Sequence, residues 1–290
     1  MKTFVVAFFL IGLFISVSFA QEQIYWLGVG GPPFVIENGK YAREGFCDAP
    51  LAQIHEYLPQ YDNVVTPISF SRFLKLVKTK PNYCFTCFLK NSEREAYILF
   101  SEPYLYTFGN MLITRTKDEA LFKPYLDADG RIDLKKLLAS GKVTLSISYG
   151  RSYGTYIDDI LLPYRETAVL IGTETTAKSN ELMFRRLVTT HTYQAFISYP
   201  TEVVWHSTML GIPKSEFKVY PISGLDVFDP RSNLYIGCSK GGLGKEVIET
   251  FNARMAETHT KAFKNYRQWL DDESLKLHKA YEPIFLKKNP

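Results

Sequence analysis

The sequence predicts an α/β protein with largely parallel sheets, and two observations carry this. Short apolar runs of strand character alternate with segments of helical spacing along the chain. Hydrophobic residues make up 46% of the 290, enough to fill two modest cores or one large one. No internal repeat and no low-complexity linker interrupts the pattern.

Lys2, the apolar run Phe4 to Val17 and the small residues Ser18 and Ala20 read as a signal peptide cleaved after Ala20. The run falls short of the roughly 20 apolar residues that a spanning helix needs. No later stretch is long and apolar enough to span, so the body from Gln21 onward is expected to be exported and soluble.

Ile24 to Val29 is the first strand, broken by Gly30-Gly31-Pro32-Pro33. Pro50 to Leu58 has helical spacing, Val64 to Ser69 reads as strand and Phe70 to Val77 as an amphipathic helix. Tyr83 to Phe88 is a strand, and Ser92 opens a helix. An aromatic stretch from Tyr104 to Phe108 leads into the strand Asn110 to Thr114. Ile132 to Leu138 is a helix closed by Gly141, Val143 to Tyr149 a strand, and Thr155 to Leu162 a helix. A helix from Asn180 through Leu187, the strand Ala195 to Ser198 and the helix Thr201 to Leu210 come next. Tyr235 to Ser239 is the late strand, Leu243 to Ala256 a long amphipathic helix, and two more helical patterns close the chain.

Composition excludes some functions. The net charge of +4 is small and scattered, which argues against nucleic acid as a partner. Cys84 and Cys87 form C-x-x-C, but Tyr83-Cys84-Phe85-Thr86-Cys87-Phe88 reads as strand, with no second such pair and scattered histidines. A structural disulfide among Cys47, Cys84, Cys87 and Cys238 is expected instead, its pairing unreadable, and no metal or other cofactor is implied.

Four constellations bear on chemistry. Ser92 and Glu95 have capping-box spacing, which puts Arg94 in the first helical turn. Two readings fit: an anion site made of a guanidinium fork and free amides, or a solvated arginine paired with Glu93 or Glu95. The turn Gly150-Arg151-Ser152-Tyr153-Gly154 lies between strand and helix, with Thr155 and Asp158 as a looser capping pair. Its amides and hydroxyls suit a polar or anionic ligand, and its G-x-S-x-G pattern also raises a serine hydrolase with Ser152 as nucleophile. Gly241-Gly242-Leu243-Gly244-Lys245 reads as a turn before a helix, since Glu246 stands where a phosphate loop needs Ser or Thr. Trp26, Tyr104, Tyr106, Phe108 and Tyr149 lie at strand ends or turns, where open α/β sheets bind ligands; aromatic rings also fill cores.

Taken in order, these pieces resemble the family 3 extracellular solute-binding proteins, of the type II periplasmic binding protein fold. The matching residues are Pro32-Pro33-Phe34, Gly45-x-x-Asp48, Ser92-Glu93-Arg94-Glu95 with Phe100-Ser101-Glu102-Pro103-Tyr104, Gly150-Arg151-Ser152, and Tyr235 to Lys240. The resemblance implies a two-lobed α/β fold with two hinge crossings, lobe one being residues 21–107 plus 221–290 and lobe two 108–220. It implies a periplasmic, monomeric protein that closes on a small molecule by hinge motion and serves a membrane transporter or sensor. Arg94 falls where amino-acid-binding members clamp the ligand carboxylate. Gly150 and Ser152 match the polar turn that completes the clamp, and Arg151 departs from it. Tyr199 stands where an aspartate normally holds the ligand's ammonium group, which points to an anionic or polar ligand other than an ordinary α-amino acid. Trp26, Tyr104 and Tyr199 complete the expected ligand-binding set, and the protein is expected not to be an enzyme. A few relatives of this scaffold are enzymes, such as the cyclohexadienyl dehydratases, so a dehydratase-like lyase is the other alternative.

Overall fold

The computed structural model describes residues 21–28, 30–148, 151–173, 179–190 and 192–289. The expected signal peptide, residues 1–20, lies outside them. Among the described residues no helix is long and apolar enough to cross a membrane.

The strands are β1 (Gln23–Leu27), β2 (Asp62–Thr66), β3 (Tyr83–Leu89), β4 (Ile98–Phe100), β5 (Met111–Arg115), β6 (Leu145–Ser148), β7 (Leu170–Thr173), β8 (Ala195–Ser198), β9 (Phe217–Tyr220) and β10 (Leu234–Ser239). They form two five-stranded sheets, ordered β2-β1-β3-β10-β4 and β7-β6-β8-β5-β9. The second order repeats the first, with β6, β7, β8 and β9 in the places of β1, β2, β3 and β4.

The expectation of largely parallel sheets is corrected. In each sheet two ladders are parallel and two antiparallel. Strands reached through a crossover helix within one sheet run parallel. By contrast, β5 and β10 each arrive from the other sheet and insert antiparallel to both neighbours. The chain thus crosses between the sheets twice, before β5 and before β10, and the two crossings touch. The Leu234 amide donates to Leu105 O at 2.8 Å, and the Tyr104 amide to Leu234 O at 3.0 Å.

Helices cover both faces of each sheet. On one face of the first sheet lies the helix Phe70–Thr79, whose Phe73 and Val77, four residues apart and so on one stripe, are buried against Phe85 and Phe88. Ser69 caps it by accepting from the Arg72 amide. On the other face lie the helices Asp48–Tyr57, Gly244–Ala253 and Met255–Arg267. The amphipathic helix expected from Leu243 to Ala256 stops at Ala253, and after Arg254 the next begins at Met255. Around the second sheet, Leu134–Ala139 and Thr155–Leu161 bury one set of side chains, and Ser179–Thr189 with Pro200–Leu210 bury the other.

The last helix, Asp272–Lys288, is capped by Asp271 and packs on the first crossing. Its His278 ring stacks on Tyr106 at 4.1 Å. Arg267 Nε donates to His278 Nδ1 at 3.3 Å, which leaves the proton on Nε2, 3.3 Å from Tyr106 O.

All four cysteines are paired, in two disulfides where one was expected: Cys47–Cys87 and Cys84–Cys238. The C-x-x-C cysteines do not bond each other, because residues three apart on a strand point to opposite faces of the sheet. Cys84 and Cys238 are direct register partners across β3 and β10.

Candidate functional site

A cleft of about 510 Å³ opens between the two sheets. Its first wall is the end of β3 and the residues just beyond it: Leu89, Lys90, Asn91 and Arg94. Its second wall comes from the turn after β6, Ser152 to Ile157, and from Tyr199 at the end of β8. Gly109 to Met111 and residues of the second crossing close the back. The site therefore sits beyond carboxyl ends of parallel strands, where open α/β sheets leave room for a ligand.

Arg94 is fixed in place by local structure. The helix Ser92–Glu95 has Asn91 as its cap, whose Oδ1 accepts from the Arg94 amide at 2.9 Å. The expected box between Ser92 and Glu95 is thus displaced by one residue, and Ser92 is exposed inside the turn. Arg94 Nη1 donates to Leu89 O at 2.6 Å, and the guanidinium lies 5.5 Å from the Phe70 ring and 5.7 Å from the Phe88 ring. Glu93 and Glu95 pair with Lys78 and Lys90 instead. Among the described residues Arg94 makes no ion pair, and the rest of its fork stands at the cleft.

Arg151 is spent inside lobe two. Its guanidinium contacts Glu202 at 3.4 Å, Asn110 Oδ1 at 3.4 Å and Asn180 Oδ1 at 3.3 Å, and lies over the rings of Tyr153 and Tyr199. Burial opposes its charge, but the Glu202 carboxylate and the tyrosine oxygens outweigh that, so its pKa is raised. Glu202, 3% exposed, also accepts from the Ser198 hydroxyl, the Asn180 amide group and the Tyr199 backbone N–H. This network ties the ends of β5, β6 and β8 together.

Ser152 Oγ donates to Asp158 Oδ2 at 2.5 Å and accepts from the Gly154 amide at 3.2 Å. Asp158 also takes the Tyr153 amide at 3.0 Å, so it braces the turn from inside the helix and does not pair with Thr155 as a cap. Among the described residues no histidine is bonded to Ser152, and the hydrolase arrangement lacks its base. Tyr149 and Gly150 lie outside the described residues.

Two expected ligand residues are corrected. Trp26 and Tyr104 are both 0% exposed. Trp26 sits within the interior strand β1, its Nε1 donating to Asn63 Oδ1 at 2.9 Å and its ring against Phe251. Tyr104 points its hydroxyl at Cys47 Sγ, 3.6 Å away. Trp26 is a core residue because β1, paired on both sides and covered by helices, leaves no open face; Tyr104, outside any strand, is packed into the same buried cluster.

Tyr199 does line the cleft, and it also touches the first lobe, ring to ring with Phe34 at 5.5 Å. Phe34 is placed by the Gly45-x-x-Asp48 motif. Asp48 Oδ2 accepts from the Ile36 and Gly45 amides, both at 2.9 Å. A Cβ on Gly45 would lie 2.4 Å from Phe34 O, so this close approach requires glycine. A smaller void of about 120 Å³ lies beside the cleft, between Phe34, Phe46, Phe108, Tyr199 and Tyr266. Farther out, Trp205 of the helix Pro200–Leu210 packs edge-on against Trp269 at 5.1 Å and Tyr41 at 6.3 Å.

The second crossing carries no motif that singles it out in the sequence. It contributes Asp226, Asp229 and Arg231 to the cleft, the last two joined by a two-pronged ion pair. Asn110, which holds Arg151, and Asn91, the true cap, are likewise unmarked by the sequence reading. The Asn-x-x-Arg spacing is a usable signal for the cap; nothing local signals the others.

No family model and no curated relative matches the sequence. Solved structures do match in shape. A structure concerning glutathione import via GshT and the cystine importer TcyBC of Streptococcus mutans aligns with TM-score 0.57 and 12% identity, over 88% of this chain and 100% of that one. An ancestral arginine-binding protein bound to arginine aligns at 0.54 and 16%, over 86% and 98%. The second substrate-binding domain of Lactococcus lactis GlnP, in its open conformation, aligns at 0.53 and 15%, over 86% and 94%. An ancestral amino-acid-binding protein, precursor of cyclohexadienyl dehydratase, aligns at 0.54 and 16%, over 86% and 95%. With two sheets of one strand order, two crossings and a cleft between them, the chain has the two-lobed α/β fold of the type II periplasmic binding proteins.

Proposed function

We propose that the protein is an exported, monomeric solute-binding protein that captures a small anionic or polar ligand in the interlobe cleft, for uptake or sensing through a membrane partner. Lobe one is residues 21–107 plus 221–290 and lobe two is 108–220, and ligand closes them by hinge motion about the two crossings. The observation that carries the reading is the cleft itself: about 510 Å³, walled by both lobes and backed by both crossings. The ligand's sign follows from what faces it. Arg94 brings a guanidinium without an ion-pair partner among the described residues, while of the two carboxylates that line the cleft Asp229 is paired with Arg231 and Asp226 accepts from the Phe228 amide. Glu202, which accepts from the Tyr199 backbone N–H, is taken up by Arg151. Catalysis has no comparable support, since Ser152 hydrogen-bonds to a carboxylate.

The test is a thermal-shift screen with organic acids, amino acids, peptidoglycan fragments and nucleotides. A true ligand at a hundredfold excess over Kd stabilises by about 2.7 kcal/mol, and X-ray scattering should show a more compact molecule with it. A screen in which no compound raises the melting temperature, or turnover of a compound that does, would overturn the reading.

A further inference from the structure

The small void adjoins the cleft. Leu89, Tyr199 and Ser232 line both. Half of its other walls are rings: Phe46, Phe108 and Tyr266 are each 1% exposed, and Phe34 and Tyr199 close it from opposite lobes. Two of the polar side chains near it are already engaged. Thr107 Oγ1 donates to Ser232 O at 2.6 Å, and Tyr266 Oη accepts from the Phe108 amide at 2.9 Å. An apolar cavity of about 150 Å³ takes a benzene ring, so an open-ended void of about 120 Å³ suits a phenyl or branched alkyl group better than water. The charge is close by: Arg94 bonds the backbone of Leu89, the residue common to both spaces.

Resting on the solute-binding reading, we propose that the ligand is an amphipathic organic acid. Its carboxylate meets the Arg94 guanidinium in the cleft, and its short apolar end, aromatic or branched, fills the ring-lined annex. Because the annex has walls from both lobes, the apolar end also couples occupancy to closure.

Calorimetry with two probes tests this: propionate and 3-phenylpropionate, which share the carboxylate and differ by the ring. Burial of a side chain of this size predicts ten- to hundredfold tighter binding of 3-phenylpropionate to the wild-type protein. Thr201→Leu, at the annex wall, should abolish that preference, both acids then binding alike. Equal affinities in the wild type, or a preference that survives in a folded Thr201→Leu, would overturn the annex while leaving the cleft in place. No binding of either acid would overturn the proposed ligand class. Whether the broad screen still yields a stabilising compound then decides, separately, if the solute-binding reading falls with it.

Discussion

The two sheets share one strand order but are held in different ways. The first carries both disulfides, and three C-terminal helices from Gly244 to Lys288 pack on it or beside it. The second has no cysteine between Cys87 and Cys238. In place of covalent ties it has a buried ion pair, Arg151 with Glu202, braced by Asn110, Asn180 and Ser198. One topology thus sets only the layout. What fixes it locally is chosen separately in each half, and the two halves should respond to different insults.

Reduction is the strongest way to break the symmetry. Each disulfide is expected to contribute about 2–5 kcal/mol, and both lie in the first half. Unfolding monitored in reductant should lose cooperativity, with the half containing β1 to β4 melting first. Coincident melting of both halves in reductant would show that the crossings, not the disulfides, set the stability of the first.

Glu202→Ala strikes the other half. Removing one partner of a buried pair strands the other charge, at a cost of about 3–5 kcal/mol. Chemical denaturation should show this loss in the oxidised protein, and hydrogen exchange should place it at the ends of β6 and β8. A loss under about 1 kcal/mol, the range of an exposed pair, would mean that Arg151 finds water on release.

The two arginines of the cleft sharpen the contrast. Arg94→Ala should leave the melting temperature nearly unchanged and weaken an anionic ligand by about 2–5 kcal/mol, with Arg94→Lys in between because it keeps the charge and loses the fork. Arg151→Ala should do the reverse, lowering stability more than the intrinsic affinity. Calorimetry and melting curves on both variants check this, and like behaviour of the two would erase the distinction.

Acid supplies the most gradual effect. Burial pushes His206, stacked on Phe184, down to about 4, and burial together with Arg267 pushes His278 down to about 3. Both folded values lie below the unfolded 6.5, so the folded state binds fewer protons. Their stability is fully present above pH 6.5 and declines below it, by about 1.4 kcal/mol per unit for each ring. Asp48 acts oppositely: burial raises it from 3.8 to about 6, and its retained proton offsets part of the loss between those two values. His206→Leu should flatten the slope of the second half alone, and an unaltered slope would show that this ring is not held neutral.

Much of this is legible in sequence. Runs such as Tyr83 to Phe88 and Ala195 to Ser198 carry their own strand signal because both faces are buried. The strands without such a signal, β4, β7 and β9, are edge strands of three or four residues, defined by a partner rather than by their own pattern. Arg94 is readable from its helix start, since capping is local. Arg151 is readable as unusual but not as already engaged, because its partners lie 29 to 51 residues away. Trp26 and Tyr104 mislead because an aromatic residue near a strand end looks the same in sequence whether it lines a cleft or fills a core.

The Cys84–Cys238 bond spans 154 residues, and every strand of the second sheet falls between its ends. The second lobe is therefore an insert within a covalent ring. A protease that cuts any exposed loop of it converts one chain into two, yet neither piece can leave until the bond is reduced. Nicked and intact molecules would run together on a non-reducing gel and part company only in thiol, and a nicked protein could go on holding both walls of its cleft.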